Sequence, residues 1–226
     1  MARQLGLDLP ARTALGRDAF FAAPSNAIAL AMIDRWPDWP GNKLALTGPH
    51  GSGKTHLAHV WAEVSGARIV SARSLGQADI PALADRPIAV EDVPEIAGDT
   101  AAETALFHLH NLILGEGHSL LLTGAAAVRR WNIALADLAS RLEGTTSVAL
   151  DPPDDQLLSA LLLKLLSDRQ LNPKPDLIPY LVARIDRSFA AAIAMIDRLD
   201  AASLAQKRPL TRQLAAEVLD KTPPDR

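Results

Sequence analysis

The fold is decided by one stretch, Gly48-Pro49-His50-Gly51-Ser52-Gly53-Lys54-Thr55. It matches the pattern G-x-x-x-x-G-K-[ST], in which glycines let the backbone curl so that successive N–H groups point at phosphate oxygens. A short apolar run, residues 44–46, precedes it, and the pattern over residues 54–64 predicts a helix whose positive N-terminal end also attracts phosphate. Strand, glycine loop and helix in this order predict a phosphate-binding loop.

Two residues of this loop have roles of their own. Lys54 supplies a positive charge for the β and γ phosphates of a nucleotide, and the Thr55 hydroxyl is placed to bind Mg²⁺. The loop and the residue after it are predicted to contact the nucleotide; besides Lys54 and Thr55 these are Gly48, Pro49, His50, Gly51, Ser52, Gly53 and His56. For His50 the alternative is a histidine exposed to solvent.

Composition narrows the class of protein. The 226 residues are 48% hydrophobic, carry a formal net charge of −3 and include no cysteine. A disulfide framework and a thiolate metal site are therefore excluded. The charge argues against a broad basic surface, so no direct sequence-specific DNA binding is expected. The N-terminus lacks the features of a signal peptide, and the longest apolar run, residues 157–166, is too short to span a bilayer. We therefore expect a cytoplasmic protein with no membrane contact.

Further short apolar runs alternate with helical patterns; they lie at residues 68–70, 88–90, 119–122 and 148–150. Strands separated by helices indicate parallel pairing in a covered sheet, so an α/β fold with a five-stranded parallel sheet is predicted. After Pro152-Pro153 the strand signal disappears, and residues 154–219 show helical spacing. The predicted organisation is a flexible tail (1–17), a nucleotide-binding α/β domain (18–152) and a small helical domain (153–226).

A pair of carboxylates, Glu91 and Asp92, follows the apolar run 88–90. In phosphate-loop proteins this position holds the metal-binding acid and its neighbour, at the carboxyl edge of the sheet. The usual order has Asp first, whereas the longer Glu comes first here. We expect Glu91 to bind Mg²⁺ together with Thr55, and we do not expect fast hydrolysis. The alternative is a solvated carboxylate pair.

Three segments carry a resemblance to a known family: residues 20–26 with Pro24-Ser25-Asn26, the loop end Gly53-Lys54-Thr55-His56-Leu57, and Leu150-Asp151-Pro152-Pro153-Asp154. Together they resemble the AAA+ module of the bacterial replication initiator DnaA and its relatives. The resemblance implies an AAA+ core with a helical lid and a bound ADP or ATP, with Pro24 and Asn26 joining the nucleotide site. DnaA continues into a helix-turn-helix DNA-binding domain, which we expect to be absent because this chain stops at Arg226. The chain is therefore most similar to the Hda family, DnaA-related proteins that inactivate DnaA.

The first residues support this resemblance. Gln4-Leu5-Gly6-Leu7-Asp8-Leu9 fits the Gln-Leu-x-Leu-x-Leu pattern by which such proteins bind the β sliding clamp. The resemblance implies an extended peptide whose apolar side chains, Leu5, Leu7 and Leu9, fill a groove while Gln4 forms hydrogen bonds at its rim. The alternative is an ordinary disordered tail, since short leucine patterns arise easily.

The resemblance also assigns the remaining AAA+ elements. Thr123 occupies the sensor I position, and Arg141 stands where the family carries an arginine finger, which reaches the nucleotide of a neighbouring subunit. The alternative for Arg141 is a surface arginine paired with Glu143. In the lid, Ala190 stands at the place of the sensor II arginine, and Arg187 either substitutes for it or is a solvated charge.

These residues support two main hypotheses about the function. In the first, an ADP-bound regulator binds the sliding clamp and DnaA, and Arg141 promotes ATP hydrolysis in DnaA. In the second, the chain is a self-acting DnaA-like ATPase, such as a helicase loader or an initiator. The order of Glu91 and Asp92, together with Ala190, counts against the second. A structural protein that merely retains a nucleotide site is a third reading, and a homo-oligomer through the AAA+ interface is compatible with each.

Overall fold

The computed structural model describes residues 23–220, so the predicted tail and its clamp motif lie outside the described residues. The first domain contains a five-stranded sheet in the order β2-β3-β4-β1-β5 with every neighbouring pair parallel. The strands are Lys43–Thr47 (β1), Arg68–Ser71 (β2), Ile88–Glu91 (β3), Leu120–Gly124 (β4) and Ser147–Ala149 (β5). The predicted α/β fold with a five-stranded parallel sheet is confirmed.

Helices cover both faces of this sheet. They are Ala27–Asp34 (α1), Lys54–Ser65 (α2), Ile80–Leu83 (α3), Thr100–Gly115 (α4) and Ala136–Glu143 (α5), with 3-10 turns at Pro40–Asn42, Ala72–Gln77, Val93–Ile96 and Val128–Arg130. Successive residues of β4 point to opposite faces: Leu120 and Leu122 pack with α4 and α5, and Leu121 packs with α1 and α2. Burial on both faces explains why the strands are continuous apolar runs and do not alternate.

The start of α1 differs from the sequence-based expectation. Ser25 and Asn26 are residue types that favour helix N-caps, and Asn26 stands at the N-cap position of α1, but its side chain makes no capping hydrogen bond to the helix. Asn26 Oδ1 instead accepts a hydrogen bond from the N–H of Ala23, 2.9 Å away. The expected cap is wrong because the side chain turns back toward the preceding residues. The segment is tied to the domain junction through Asp151, whose N–H donates to the Ser25 carbonyl.

The described part of the second domain, residues 154–220, contains helices and connecting segments and no strand. Its helices are Asp155–Asp168 (α6), Leu177–Val182 (α7), Phe189–Gln206 (α8) and Arg212–Asp220 (α9). Leucines of α6 form a core with the other three helices, separate from the two clusters that cover the sheet. Asp154 caps α6 by accepting a hydrogen bond from the N–H of Leu157. None of the helices between residues 23 and 220 combines the length and apolar character needed to cross a membrane.

Candidate functional site

The sheet order brings the predicted phosphate loop and the predicted acids to one edge. The loop follows β1, Glu91 ends β3, and Thr123 lies near the end of β4, which pairs with both of those strands. Carboxyl ends of parallel strands meet at the same edge of a sheet, which is where ligands bind in α/β folds. The topology therefore places these groups together although up to 75 positions separate them along the chain.

The phosphate loop has the backbone conformation that its glycines allow. Gly51 and Gly53 have φ angles of 74° and 101°, in the left-handed region that side chains rarely adopt. Lys54 lies inside the curl, with its Nζ atom 2.8 Å from the Gly48 carbonyl and 2.9 Å from the Pro49 carbonyl. Burial lowers the pKa of Lys54, while the nearby carboxylates of Asp92 and Glu91 oppose that effect.

A hydrogen bond connects Asp92 with Thr123. The N–H of Asp92 donates to Thr123 Oγ1 at 3.0 Å, and Asp92 has a left-handed backbone with a φ of 55°. A non-glycine residue in this region is strained, and such strain persists where the surrounding structure fixes it. Thr123 is buried. The Oε1 atom of Glu91 is buried and has no hydrogen-bond partner within the described structure.

The lid touches the phosphate loop directly. The N–H of Phe189, the first residue of α8, donates to the Gly51 carbonyl at 2.9 Å. A Cβ atom added at Gly51 would lie 2.4 Å from the Cβ atom of Ser188, and one added at Gly53 would lie 3.2 Å from the Phe189 ring. The Phe189 ring also meets His56 edge-on, with ring centroids 6.3 Å apart. Close approach to the lid is thus a second reason for glycine at these two loop positions.

A cavity of about 310 Å³ opens between the loop and the lid. From the core it is lined by His50, Gly51, Gly53, Lys54, Thr55, His56 and Asp92, and from the lid by Leu161, Lys164, Leu165, Asp168, Phe189, Ala190 and Ile193. Its walls combine an apolar lid surface with polar groups at the loop, which is the usual composition of a small-ligand site.

The two lid residues considered from the sequence, Ala190 and Arg187, lie in different surroundings. Ala190, at the predicted sensor II position, lines the cavity. Arg187 is not among the lining residues; its guanidinium pairs with Asp155 at 2.7 Å, and both side chains are largely exposed. The cation that the lid does contribute is Lys164, which pairs with Asp168 one turn later on α6. Neither Pro24 nor Asn26 lines the cavity.

Arg141 lies outside the cavity, on α5. Its side chain is exposed, and its guanidinium carbon lies 5.2 Å from the centre of the Phe107 ring, a cation–π contact. No ion pair joins it to Glu143 within residues 23–220, so the surface pairing considered from the sequence is not formed there. The carbonyl of Arg141 accepts a hydrogen bond from Lys43, the residue that begins β1.

The chemistry of the loop edge fits a nucleotide and its metal. Ser52 Oγ and Glu91 Oε1 are both buried in the described structure without a hydrogen-bond partner. A ligand at this edge would supply the partners that buried polar atoms need. Thr55 and Glu91 offer the oxygen ligands that Mg²⁺ prefers. Across residues 23–220 no group of three or more His, Cys, Asp or Glu side chains could hold a metal. Mg²⁺ would therefore need phosphate oxygens to complete its ligands.

Three lid residues at this site were missed from the sequence: Lys164, Ser188 and Phe189. Lys164 interrupts a leucine-rich helix, and such a polar residue inside an apolar stripe is a usable signal. The contact of Ser188 and Phe189 with the loop depends on how the lid is set against the core, and no local pattern encodes it.

Comparison with known proteins gives two kinds of match, one to a family model and the others to solved structures. A family model described as Hda, lid domain, matches residues 154–219. Domain III of the replication initiation protein DnaA from Thermotoga maritima superposes with a TM-score of 0.80 at 17% identity, covering 94% of this chain and 98% of that one. AMPPCP-bound DnaA from Aquifex aeolicus gives a TM-score of 0.68 at 18% identity, covering 80% of this chain and 63% of that one.

A more distant protein shares the same fold. The FIGL-1 AAA domain in complex with ADP gives a TM-score of 0.64 at 17% identity, covering 83% of this chain and 74% of that one. At these identities the structural likenesses establish an AAA+ fold, and the family match establishes the kind of lid.

Proposed function

We propose that this chain, which has an AAA+ fold and a lid that matches the Hda family, is an adenine-nucleotide-binding regulator that promotes ATP hydrolysis in DnaA through Arg141. The observation that carries this proposal is the position of Arg141. Its side chain is exposed, and its carbonyl is bound by Lys43 at the start of β1, whereas the phosphate loop begins after the end of β1. The five residues of β1 separate the two by about 13 Å. An arginine so placed serves the nucleotide of a neighbour.

The bound nucleotide is ADP or ATP with Mg²⁺. The buried, unpartnered oxygens of Ser52 and Glu91 support this assignment, as do solved AAA+ neighbours with AMPPCP and ADP. Lys54 would move its ammonium from the loop carbonyls to phosphate oxygens, and the loop N–H groups would bind the α and β phosphates. The lid contributes Ala190 where an arginine would contact the γ phosphate. We therefore expect the protein to hold ADP about as well as ATP.

ATP hydrolysis in DnaA then depends on a positive charge that this chain supplies. The guanidinium of Arg141 would stabilise the negative charge that develops on the phosphoryl group during transfer. The chemistry takes place in the partner, so this chain needs no fast turnover of its own. Adenine nucleotide in its own site fixes the loop and lid and thereby the shape of the surface offered to DnaA.

The test is ATP hydrolysis by the cognate DnaA, with and without this protein on a DNA-loaded sliding clamp. We expect Arg141→Ala to reduce the stimulated rate on the order of 10³-fold. Arg35→Ala is the matched control, because Arg35 is an exposed arginine at the end of α1. The control should stimulate like the wild type, and stimulation that survives in Arg141→Ala at the level of the control would remove the finger from the proposal.

Clamp binding is a separate part of the proposal and rests on residues 4–9 of the sequence. We expect purified protein to bind the clamp and the double substitution Gln4→Ala and Leu5→Ala to abolish binding, measured by surface plasmon resonance. Ala2→Ser with Arg3→Lys, just outside the motif, should leave binding unchanged. Equal binding by all forms would show that the motif is not the ligand.

A self-acting ATPase is the second candidate, favoured by the hydrogen bond between Asp92 and Thr123 at the loop edge. It predicts steady turnover by the isolated protein, which Lys54→Ala would abolish. The regulator predicts negligible turnover by the isolated protein, so this single assay separates the two.

A further inference from the structure

The helix that carries Arg141 is short, and the backbone groups at its ends need hydrogen-bond partners from other elements. The finger helix α5 has eight residues, Ala136–Glu143, and no side-chain cap at its first turn, where Leu135 stands at the N-cap position. An isolated helix of this length is unstable in water, and its terminal N–H and C=O groups need partners. The position of Arg141 therefore depends on what binds the two ends of α5.

The first end is held by Glu103 of α4. This carboxylate is 1% exposed, and it accepts hydrogen bonds from the N–H groups of Leu135 at 2.7 Å, Ala134 at 3.0 Å and Gly98 at 2.8 Å. Burial alone would raise the pKa of Glu103, but these three bonds outweigh it and the pKa is lowered. The carboxylate thus fixes the segment that leads into α5 and places a negative charge near the positive end of the helix.

The second end is held by Lys43. Its Nζ atom donates to the carbonyl of Arg141 itself at 2.9 Å and lies 3.3 Å from Nε2 of His110. Thr145 Oγ1 donates to the same carbonyl at 3.0 Å. An ammonium at the C-terminal end of a helix is stabilised by the helix dipole, so both ends of α5 carry the charge that suits them.

His110 is an acceptor in this arrangement. Burial, with further contributions from Lys43 and Arg141, lowers the pKa of His110 to about 4, so its ring is neutral at physiological pH. With Nδ1 facing the Asn111 side-chain oxygen, Nε2 is free to accept from the Lys43 ammonium. The tautomer follows from this hydrogen-bond network.

Three residues of α4 share one helical face toward α5. Glu103, Phe107 and His110 stand at positions i, i+4 and i+7 of the helix. Glu103 binds the start of α5, the Phe107 ring contacts the Arg141 guanidinium, and His110 contacts the lysine that binds the end. One stripe of α4 therefore meets α5 along its whole length.

We propose that Glu103 and Lys43 are positioning residues for Arg141. They bind at the two ends of the finger helix and so fix where the guanidinium is presented. This inference rests on the proposed function of Arg141. Neither residue lines the cavity between the phosphate loop and the lid. Their effect is on the orientation of the finger, and a small misplacement of a catalytic group lowers the rate without lowering binding in proportion.

The test compares Lys43→Met and Glu103→Gln with two control variants, Lys174→Met and Glu116→Gln, at exposed positions. Stimulated hydrolysis by DnaA is titrated with each full-length variant on the loaded clamp. We expect each positioning variant to lower the plateau rate by about tenfold, while the half-maximal concentration changes by less than about twofold. Lys43→Arg, which keeps a donor, should recover most of the plateau, and the controls should match the wild type.

A double-mutant cycle separates positioning from general stability. If Lys43 acts through Arg141, Lys43→Met has no further effect in an Arg141→Ala background. If Arg141→Ala abolishes stimulation while Lys43→Met leaves the plateau rate unchanged, the positioning role of Lys43 is refuted and the arginine-finger role of Arg141 is retained. Stimulation that survives Arg141→Ala refutes the proposed function instead. If Glu103→Gln fails to fold, Lys43→Met alone decides, because Lys43 is only partly buried and pairs with no buried carboxylate that its removal would leave without a partner.

Discussion

The two ends of strand β1 are built in different ways. At its carboxyl end the phosphate loop relies on backbone: glycines with left-handed φ angles, N–H groups and a lid that touches them. At its amino end the contact relies on a charged side chain, because Lys43 binds the carbonyl of Arg141 at the C-terminal end of the finger helix, while Glu103 binds the segment that leads into the other end of that helix. The lid contributes Ala190 to the first end, and the second end presents the exposed Arg141 with its supports. Under the proposed function, the first end holds the protein's own nucleotide and the second acts on the nucleotide of DnaA.

The largest effect on stability is expected at the carboxyl end, where the lid meets the loop. Gly51→Ala places a Cβ atom 2.4 Å from Ser188 and strains a φ of 74°. We expect the free energy of unfolding to fall by about 3 to 4 kcal/mol, the sum of backbone strain and overpacking. Gly66→Ala is the matched control, with a similar φ of 68° and nothing within 4 Å of the added atom. Equal losses in the two variants, measured by urea denaturation, would show that the lid does not press on the loop.

The amino end should respond to pH through His110. The folded pKa, about 4, lies below the ordinary 6.5, so the unfolded chain binds more protons between these values. The free energy of unfolding therefore decreases as the pH falls from 6.5 to 4, by at most about 3 kcal/mol. His110→Gln should lose this part of the pH dependence. An identical pH profile in the variant would contradict a buried neutral histidine beside Lys43.

At the carboxyl end, removal of the loop lysine should weaken nucleotide binding. Lys54→Ala loses charge-assisted hydrogen bonds to phosphate, each worth about 1.5 to 3 kcal/mol. We expect the Kd for ADP to rise by about fifty- to a hundredfold in isothermal titration calorimetry. Lys174→Ala, at an exposed lid position, should leave the Kd unchanged. Unchanged binding in Lys54→Ala would mean that the loop does not hold phosphates.

The smallest effect concerns the missing lid arginine. The Kd values for ADP and ATP should agree within about threefold in the wild type, because no lid guanidinium contacts the γ phosphate. Ala190→Arg should favour ATP over ADP by about tenfold, the effect of one added charged contact. A strong preference for ATP in the wild type would show that another residue replaces the arginine, and Lys164 would be the first to examine.

The two ends also differ in how far the sequence predicts them. The phosphate loop, Glu91 with Asp92, and the strands around them were predicted because each depends on a contiguous pattern. The sheet then places them together, since parallel strands end at one edge. Position 190 was aligned to the lid site, and the structure places Ala190 in the cavity wall.

The contacts of the finger helix could not be predicted in the same way. Glu103, Phe107 and His110 show helical spacing, but the sequence does not say which neighbour their face meets. Lys43 binds a carbonyl 98 positions away, and Phe189 binds one in the loop 138 positions earlier. Such contacts follow from packing of distant elements. The cap expected from Asn26 failed for a related reason, because two local hydrogen bonds compete and the sequence does not decide between them.

The most direct test of the account locates the ATP that is hydrolysed. Labelled ATP is bound first to DnaA alone or to this protein alone, the two are mixed on a loaded clamp, and phosphate release is followed in a single turnover. We expect fast release only when the label starts on DnaA, and loss of that release with Arg141→Ala. Fast release of label that starts on this protein, unaffected by Arg141→Ala, would contradict it and identify a self-acting ATPase.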